Sequence, residues 1–168
     1  MHTEIYWGRG NGWAMGALVA AIEFGEGYKA TDPHRSVYVN MLKQQAAALK
    51  ALQGDDGCWR SSLMNATGYP TPEMTGTSSF VYGIGYGLNT GILEMDTYGP
   101  VVAKAWKFMS SEALQPSGRY GFCQPVGGSP EHNINKDSTS DFCVGQFLLA
   151  ATQVAKLADD ARFQAMML

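Results

Sequence analysis

A repeated segment is the feature of this sequence that most constrains its fold. Residues 77–83 read TSSFVYG and residues 139–145 read TSDFCVG, so the two copies lie 62 residues apart. Residues 51–53 (ALQ) recur at the same distance as residues 113–115. A fixed period of more than about 50 residues indicates an array of supersecondary units, because each unit buries its apolar surface only against its neighbours.

Each repeat unit is predicted to form two helices. The first helix follows a residue type that caps helices well, Asn11, Ser78 or Ser140, and is apolar almost all round, which is typical of a helix buried on all sides. The second helix is amphipathic. The residues on its apolar face are Tyr38, Met41, Leu42, Leu49 and Leu52 in one unit and Val102, Ala105, Trp106, Met109 and Ala113 in the next.

One stretch, residues 82–87 (YGIGYG), conflicts with this assignment. Its alternation is typical of a strand, and each of its three glycines costs about 1 kcal/mol in a helix interior. The register of the repeat nevertheless places it in a first helix, so we expect a tightly packed inner helix rather than a strand or loop.

The closed form of such hairpins is an α/α toroid, in which the loops before the inner helices converge at one mouth. This chain holds only about two and a half hairpins, roughly half of a six-hairpin ring at this period. The sequence therefore predicts an all-α fold, an incomplete α/α toroid, with residues 1–168 as a single domain. An open half exposes apolar helix faces, so we expect a homo-oligomer or a complementing N-terminal half.

Composition and charge exclude several classes of function. The 168 residues carry a net charge of −3 and no basic run, which argues against nucleic acid as a partner. No apolar run reaches about 18 residues, so no membrane span is predicted. Residues 1–13 lack the basic and then apolar order of a signal peptide, which favours a cytoplasmic location.

The three cysteines, Cys58, Cys123 and Cys143, are odd in number and lie far apart in the sequence. They form no C-x-x-C pair, so the spacing indicates neither a metal site nor a disulfide framework. We therefore expect buried free thiols, because free cysteine behaves as a small apolar residue. No metal and no cofactor is predicted.

Residues 7–13 (WGRGNGW) are the strongest candidate for a binding site. Trp7 and Trp13 can stack on a sugar face, and the planar guanidinium of Arg9 matches a carboxylate. Asn11 adds an amide, and the glycines let the backbone approach a ligand closely. The motif predicts a pocket for an acidic oligosaccharide. The alternative, a structural arginine between core tryptophans, stays open.

Four segments resemble motifs of glycoside hydrolase family 105, the unsaturated rhamnogalacturonyl hydrolases, which are relatives of the family 88 unsaturated glucuronyl hydrolases. Residues 7–13 resemble the signature Trp-x-Arg-Gly-Asn-Gly-Trp, and residues 56–59 (DGCW) resemble an Asp-Gly-x-Trp turn. Residues 73–78 (EMTGTS) resemble a Glu-x-Ser/Thr-Gly-Thr/Ser segment, and residues 144–151 (VGQFLLAA) resemble the closing Gly-x-Phe-Leu-Leu-Ala-Ala helix. The resemblance covers nearly the whole chain, but only the C-terminal half of the family's length.

The resemblance implies a six-hairpin α/α barrel that removes the 4,5-unsaturated uronic acid left at a chain end by a polysaccharide lyase, as in pectin degradation. An aspartic acid protonates the double bond, water adds to the adjacent carbon, and the resulting hemiketal opens. Metal ions and cofactors take no part. Trp7, Arg9 and Trp13 match pocket positions of the family. Trp59 either lines the mouth beside them or anchors its loop in the core.

The proton-donating Asp of the family lies well upstream of the tryptophan motif, and no Asp precedes Trp7 here. We therefore expect the C-terminal half of an unsaturated rhamnogalacturonyl hydrolase that lacks the catalytic residue and is inactive alone. The alternatives are a non-catalytic module that binds acidic sugars and a half-toroid assembly module. Glu73 and Asp141 are the best-placed substitutes, although a helix N-terminus favours the ionised form of a carboxyl group. The carboxylates that lie in loops or near inner-helix starts, and could replace the missing acid, are Asp55, Asp56, Glu73, Glu131, Asp137 and Asp141.

Overall fold

A computed structural model describes residues 5–24, 31–127, 130 and 133–168. Six α-helices account for most of them: α1 Gly8–Glu23, α2 Arg35–Leu52, α3 Met74–Asn89, α4 Met95–Phe108, α5 Asp141–Leu157 and α6 Ala161–Met167. Helix α4 runs on into a π-helical turn at Met109–Ala113. The described residues contain no strand, only isolated bridges such as the one between Trp7 and Ser62.

The helices form two layers. Helix α3 packs between α1 and α5, while α2 packs against α1 and α4 packs against α3, with α6 on α4. The predicted order of inner helix, outer helix and loop is therefore confirmed. The glycine-rich residues 82–87 lie inside α3, so the preference for a helix over a strand is also confirmed.

Glycines allow the inner helices to approach one another closely. A Cβ atom on Gly12 of α1 would lie 2.6 Å from Cβ of Ser79 in α3. A Cβ atom on Gly85 of α3 would lie 2.8 Å from Cβ of Gln153 in α5. Both distances are shorter than carbon atoms tolerate, so the inner layer requires glycine at these crossings.

The predicted helix starts were right for α5 and wrong for the other two inner helices. Ser140 is the N-cap of α5. The N-cap of α1 is Trp7 rather than Asn11, because the Asn11 side chain donates back to the carbonyl of Trp7 at 2.9 Å and so lies within the first turn. The N-cap of α3 is Glu73 rather than Ser78, because the Glu73 carboxylate accepts from the free N–H groups of that turn.

The expectation that all inner helices are buried on all sides holds for α3 alone. Nearly every residue of α3 is buried. Helix α5 instead exposes Val144, Leu148 and Leu149 along one side, and α1 exposes Trp13. On the outer helix α2, Met41 is 49% exposed although it was assigned to the buried face. These apolar residues are exposed because the described helices form an open arc, in which the helices at either end have a neighbouring hairpin on one side only.

The cysteine prediction was wrong for two of the three residues. Cys123 and Cys143 form a disulfide, with Cα atoms 6.0 Å apart, and only Cys58 is a free, buried thiol. The two partners are separated by 20 positions in the sequence, and their proximity depends on the fold, which brings Cys123 to the start of α5. Sequence spacing alone does not report such a closure.

Membrane insertion has no support in this part of the chain. Of the helices among residues 5–24, 31–127 and 133–168, none combines the length and apolar character that crossing a bilayer requires.

We expect opposite effects from two Gly→Ala substitutions. Gly16→Ala in α1, where an added Cβ meets no atom within 4 Å, should raise the free energy of unfolding by up to about 1 kcal/mol through helix propensity. Gly85→Ala should lower it by about 1–2 kcal/mol through overlap with Gln153. Urea denaturation of both variants measures the difference, and a stabilised Gly85→Ala would contradict the proposed close packing.

The disulfide can be tested by counting thiols. Alkylation of the denatured but unreduced protein should label one cysteine, Cys58, and alkylation after reduction should label all three. Mass spectrometry gives both counts. Closing a loop of this length stabilises a fold by about 3 kcal/mol, so reduction should also lower the midpoint of thermal unfolding. Three labelled cysteines without reduction would exclude the bond.

Candidate functional site

The motif at residues 7–13 forms the first turns of α1 and lies beside the start of α3. The N–H of Gly8 donates to the carbonyl of Ser61 at 2.8 Å, and a Cβ atom on Gly8 would lie 2.7 Å from the carbonyl oxygen of Arg60. A Cβ atom on Gly76, in the first turn of α3, would lie 3.0 Å from the backbone carbon of Gly8. Glycine at these positions therefore brings the two helix starts together.

Arg9 lies beneath the loop that follows Cys123. Its side chain is 2% exposed. The guanidinium donates to three backbone carbonyls of that loop, those of Gln124 at 3.3 Å, Pro125 at 2.9 Å and Gly127 at 3.1 Å. Arg9 therefore fixes the loop to α1, in agreement with the alternative of a structural arginine, although the sequence did not indicate which groups it binds. Its predicted contact with a uronate stays a prediction.

Aromatic rings surround the same guanidinium. The Cζ atom of Arg9 lies 4.6 Å from the ring centre of Trp7 and 4.9 Å from that of Phe142. Trp13 is further away, at 5.8 Å. Cation–π attraction contributes most when the cation is desolvated, as it is here, so these rings help to hold a buried positive charge.

Trp13 is the exposed part of this cluster. Its ring is 53% exposed and meets Trp7 edge-on, with the ring centres 5.6 Å apart. A cleft of about 120 Å³ opens beside it. The residues that line the cleft are Arg9, Trp13, Val126, Gly127 and Phe142. An apolar ring above a buried cation suits the stacking of an anionic sugar.

The structure separates the other two predicted site residues from this cleft. The Asn11 side chain is occupied within α1, and its backbone carbonyl accepts from the Gln45 side chain at 2.7 Å. Trp59 lies in the core, 1% exposed, and its indole N–H donates to the carbonyl of Leu49 at 2.8 Å. The structure thus brings Trp7, Arg9 and Trp13 together, and places Trp59 as an anchor of its loop.

Glu73 is the only completely buried carboxylate among the described residues. One carboxylate oxygen accepts from the N–H and hydroxyl of Thr75, and the other accepts from the N–H of Gly76 at 2.8 Å. Burial raises the pKa of Glu73, and the hydrogen bonds from Thr75, Gly76 and Gln124 oppose that rise. Burial has the larger effect on this pKa, so the position of Glu73 at a helix N-terminus does not by itself keep the carboxyl group ionised.

The other carboxylates proposed as substitutes are less enclosed. Asp56 pairs with Arg60 at 2.9 Å, and Asp137 lies 3.7 Å from Arg119 at the surface. Asp141 is exposed at the start of α5. Glu131 lies outside the described residues.

Gln124 lies in the long loop 116–138 and contacts the tryptophan cluster, but sequence reasoning did not assign it to the site. Its side chain is fully buried, and its Oε1 accepts from the indole N–H of Trp7 at 3.2 Å. The only feature of the sequence that pointed to Gln124 was its place in a long loop between two repeat units, because such loops often carry function. That signal does not distinguish Gln124 from its neighbours.

The described side chains offer no obvious place for a metal ion. Among them, no group of three or more His, Cys, Asp or Glu residues is arranged to hold one. The cleft beside Trp13 is lined mostly by apolar groups, with the Arg9 guanidinium buried beneath them, and it offers no carboxylate or thiolate ligand to a metal ion.

Comparisons with known proteins assign most of this chain to one family. The family described as Glycosyl Hydrolase Family 88 matches residues 2–158. The unsaturated 3S-rhamnoglycuronyl hydrolase of Formosa agariphila is 36% identical over 157 residues, which are 93% of this chain and 40% of that protein. The chain therefore spans less than half of the length of this relative.

Two solved structures have the same arrangement of helices. A glycosyl hydrolase family 88 protein from Bacteroides vulgatus superposes with a TM-score of 0.85 at 35% identity, over 92% of this chain and 44% of that one. A possible family 105 member from Salmonella enterica has a TM-score of 0.78 at 22% identity, over 89% and 39%, and so shares the fold. The prediction of an incomplete α/α toroid is confirmed.

Proposed function

Because this chain belongs to glycosyl hydrolase family 88, we propose that it forms the part of an unsaturated glycuronyl hydrolase that recognises the uronic acid at the end of an oligosaccharide. The observation that carries the proposal is the exposed ring of Trp13 beside the buried guanidinium of Arg9. In this arrangement Trp13 stacks on the sugar, and Trp7 and Arg9 support it from below. The positive charge of Arg9 favours a uronate over a neutral sugar at the same wall.

The neighbouring sugar sets the specificity in this proposal. A 4,5 double bond removes the stereocentre that distinguishes glucuronate from galacturonate, so both give the same unsaturated group. In this proposal the protein therefore distinguishes substrates by the sugar that follows the unsaturated uronate. The name of the Formosa relative points to a rhamnose-linked uronate, and we extend that substrate class to this chain.

The proton donor comes, in this proposal, from residues beyond these 168. Among the described residues, the buried carboxylate Glu73 is bound to its own helix start, and Asp141 is exposed. Glu73 is therefore enclosed at the start of α3 and is not among the residues that line the cleft beside Trp13. Hydration of the double bond would then require the rest of the ring, and these residues alone would bind without turnover.

The test is calorimetric binding of an unsaturated uronyl–rhamnose disaccharide, followed together with the ultraviolet absorbance of its double bond. We expect binding that is weaker for an unsaturated uronyl–N-acetylhexosamine, and an absorbance that stays constant. Trp13→Ala should raise the Kd about tenfold, about 1.4 kcal/mol, through loss of stacking. Phe24→Ala is the matched control, since Phe24 is an exposed aromatic residue at the far end of the same helix.

One result would contradict the proposed sugar binding at Trp13, and another would contradict the proposed source of the proton. No binding by the unaltered chain, or equal losses in Trp13→Ala and Phe24→Ala, would refute the sugar wall. A steady fall in absorbance, abolished by Glu73→Gln, would show that a carboxyl group within these residues supplies the proton.

A second function, assembly, is favoured by the open apolar faces. A groove between α1 and α2, about 740 Å³, has a mostly apolar lining, and α5 exposes Val144, Leu148 and Leu149 at the other end of the arc. The residues of the groove are Asn11, Ala14, Ala17, Leu18, Ala21, Tyr38, Met41, Gln44 and Gln45. We infer that further helical hairpins cover both faces, supplied by a longer chain or by a second copy.

Light scattering of the 168-residue chain tests this second function. Association should increase with concentration, and Leu148→Glu should weaken it, because a charge on an apolar face opposes burial. Ser110→Glu introduces the same charge on an exposed outer turn and should leave association unchanged. A monomer at all concentrations would exclude pairing of two copies.

A further inference from the structure

The loop after Cys123 forms one side of the cleft beside Trp13. Val126 and Gly127 of this loop line the cleft together with Phe142 at the start of α5. The Val126 side chain is 87% exposed, and Trp13, on the same cleft, is 53% exposed. Two apolar side chains therefore face solvent at the mouth of one small cleft, and a ligand that enters it covers both of them.

Arg9 holds the loop backbone on both sides of Val126. Its Nη1 donates to the carbonyl of Pro125 at 2.9 Å, and its Nη2 donates to the carbonyl of Gly127 at 3.1 Å. The ring of Pro125 also fixes one backbone dihedral of that residue. The exposed Val126 side chain is therefore presented from a constrained backbone, as a residue that reads a ligand must be.

A disulfide joins the loop to the α5 side of the cleft. Cys143 directly follows Phe142 in α5, and its partner Cys123 directly precedes the loop residues 124–127. Phe142 also packs on the Arg9 guanidinium, whose Cζ atom lies 4.9 Å from the ring centre. These contacts are made without any ligand, so the cleft is preformed and little further ordering is needed when a ligand binds.

The size and the lining of the cleft restrict what it can hold. Its volume of about 120 Å³ is below the range of roughly 300–1,000 Å³ that encloses a whole drug-sized ligand, so it accepts a substituent of a sugar. Its lining is mostly apolar, and the Arg9 guanidinium beneath donates to the loop carbonyls. A carboxylate or a hydroxyl group would lose hydration against these walls, whereas a methyl group gains from leaving water.

We propose that this cleft receives the methyl group of a 6-deoxyhexose, and that Val126 and Gly127 are its specificity-determining residues. The inference rests on the proposed function, since it concerns the sugar that follows the uronate stacked on Trp13; rhamnose is such a 6-deoxyhexose. Val126 contacts the methyl group, and Gly127, which has no side chain, leaves the space that the methyl group enters. A hexose carries a hydroxyl group on the same carbon and buries it against Val126.

The first measurement compares two disaccharides that differ at one carbon atom. Unsaturated uronyl–L-rhamnose carries a methyl group there, and unsaturated uronyl–L-mannose has the same ring configuration but carries a hydroxymethyl group. Calorimetry should give a Kd about tenfold higher for the mannose disaccharide, because its hydroxyl group loses hydration in the cleft. Equal Kd values, or tighter binding of the mannose disaccharide, would overturn the inference and leave the proposed function intact.

Val126→Thr tests the apolar wall, because it keeps the shape of the side chain and adds a hydroxyl group. The preference for rhamnose should fall from about tenfold toward equal binding, since the new hydroxyl group offers the mannose disaccharide a hydrogen-bond partner. Val37→Thr is the matched control on the half-exposed Val37 of α2 and should leave the preference unchanged. Weaker binding of both disaccharides at an unchanged preference would make Val126 a structural residue and would refute its assigned role.

Gly127→Ala tests the space inside the cleft. An added Cβ atom on Gly127 meets no atom of the described residues within 4 Å, so the thermal unfolding midpoint should stay close to that of the unaltered protein. The Kd of the rhamnose disaccharide should nevertheless rise about tenfold, because the new methyl group occupies the space of the ligand. Gly16→Ala makes the same change outside the cleft and should leave the Kd unchanged. An unchanged Kd in Gly127→Ala would also overturn the inference.

Nuclear magnetic resonance separates this inference from the proposed function. In protein labelled with ¹³C-methyl valine, the C6 methyl protons of the rhamnose disaccharide should show a nuclear Overhauser contact with the Val126 methyl groups. Methyl α-L-rhamnoside, which carries no uronate, should show the same contact at high concentration, and Val126→Thr identifies the signal. If the disaccharides do not bind, the proposed function fails, while the rhamnoside still decides whether the cleft holds a methyl group. Absence of the contact with both ligands would refute the inference.

Discussion

Close contact of α3 with both of its neighbours is the constraint on which the rest of this structure depends. Gly12 and Gly85 mark the two crossings, and a methyl group at either one would overlap a side-chain carbon across the interface. Because α3 is buried almost all round, water cannot satisfy its first N–H groups, and a side chain must do so. Glu73 fills that role, since its carboxylate accepts from the N–H groups of Thr75 and Gly76 in the first turn.

The sequence predicted the parts of the fold that repeat or that depend on local pattern. The 62-residue period was enough to place the glycine-rich segment of α3 in a helix, against the preference of its own residues. The N-cap at Ser140 was predicted correctly, although the serine hydroxyl makes no capping hydrogen bond. Glu73 was not, because its capping role depends on burial that only the packed helices create.

For the candidate binding site too, the sequence predicted the residues that lie close together in the chain and missed their distant partners. Trp7, Arg9 and Trp13 lie within one short motif, so their clustering on two turns of a helix followed from the sequence. The acceptors for Arg9 did not follow, since Gln124 and Gly127 lie more than a hundred residues away along the chain. The pairing of Cys123 with Cys143 was missed for the same reason: it depends on a fold of the loop that spacing does not encode.

The distance along the chain between Arg9 and its partners has a consequence for biosynthesis. The ribosome releases the tryptophan motif more than a hundred residues before the carbonyls that accept from Arg9. Until then the guanidinium must remain hydrated, because burying it without acceptors would be costly. Contacts of such long range form late in folding. The cleft is therefore complete only when the loop lies over α1 and Cys123 has reached Cys143 at the start of α5, so in the proposed function sugar binding would require these long-range contacts to have formed.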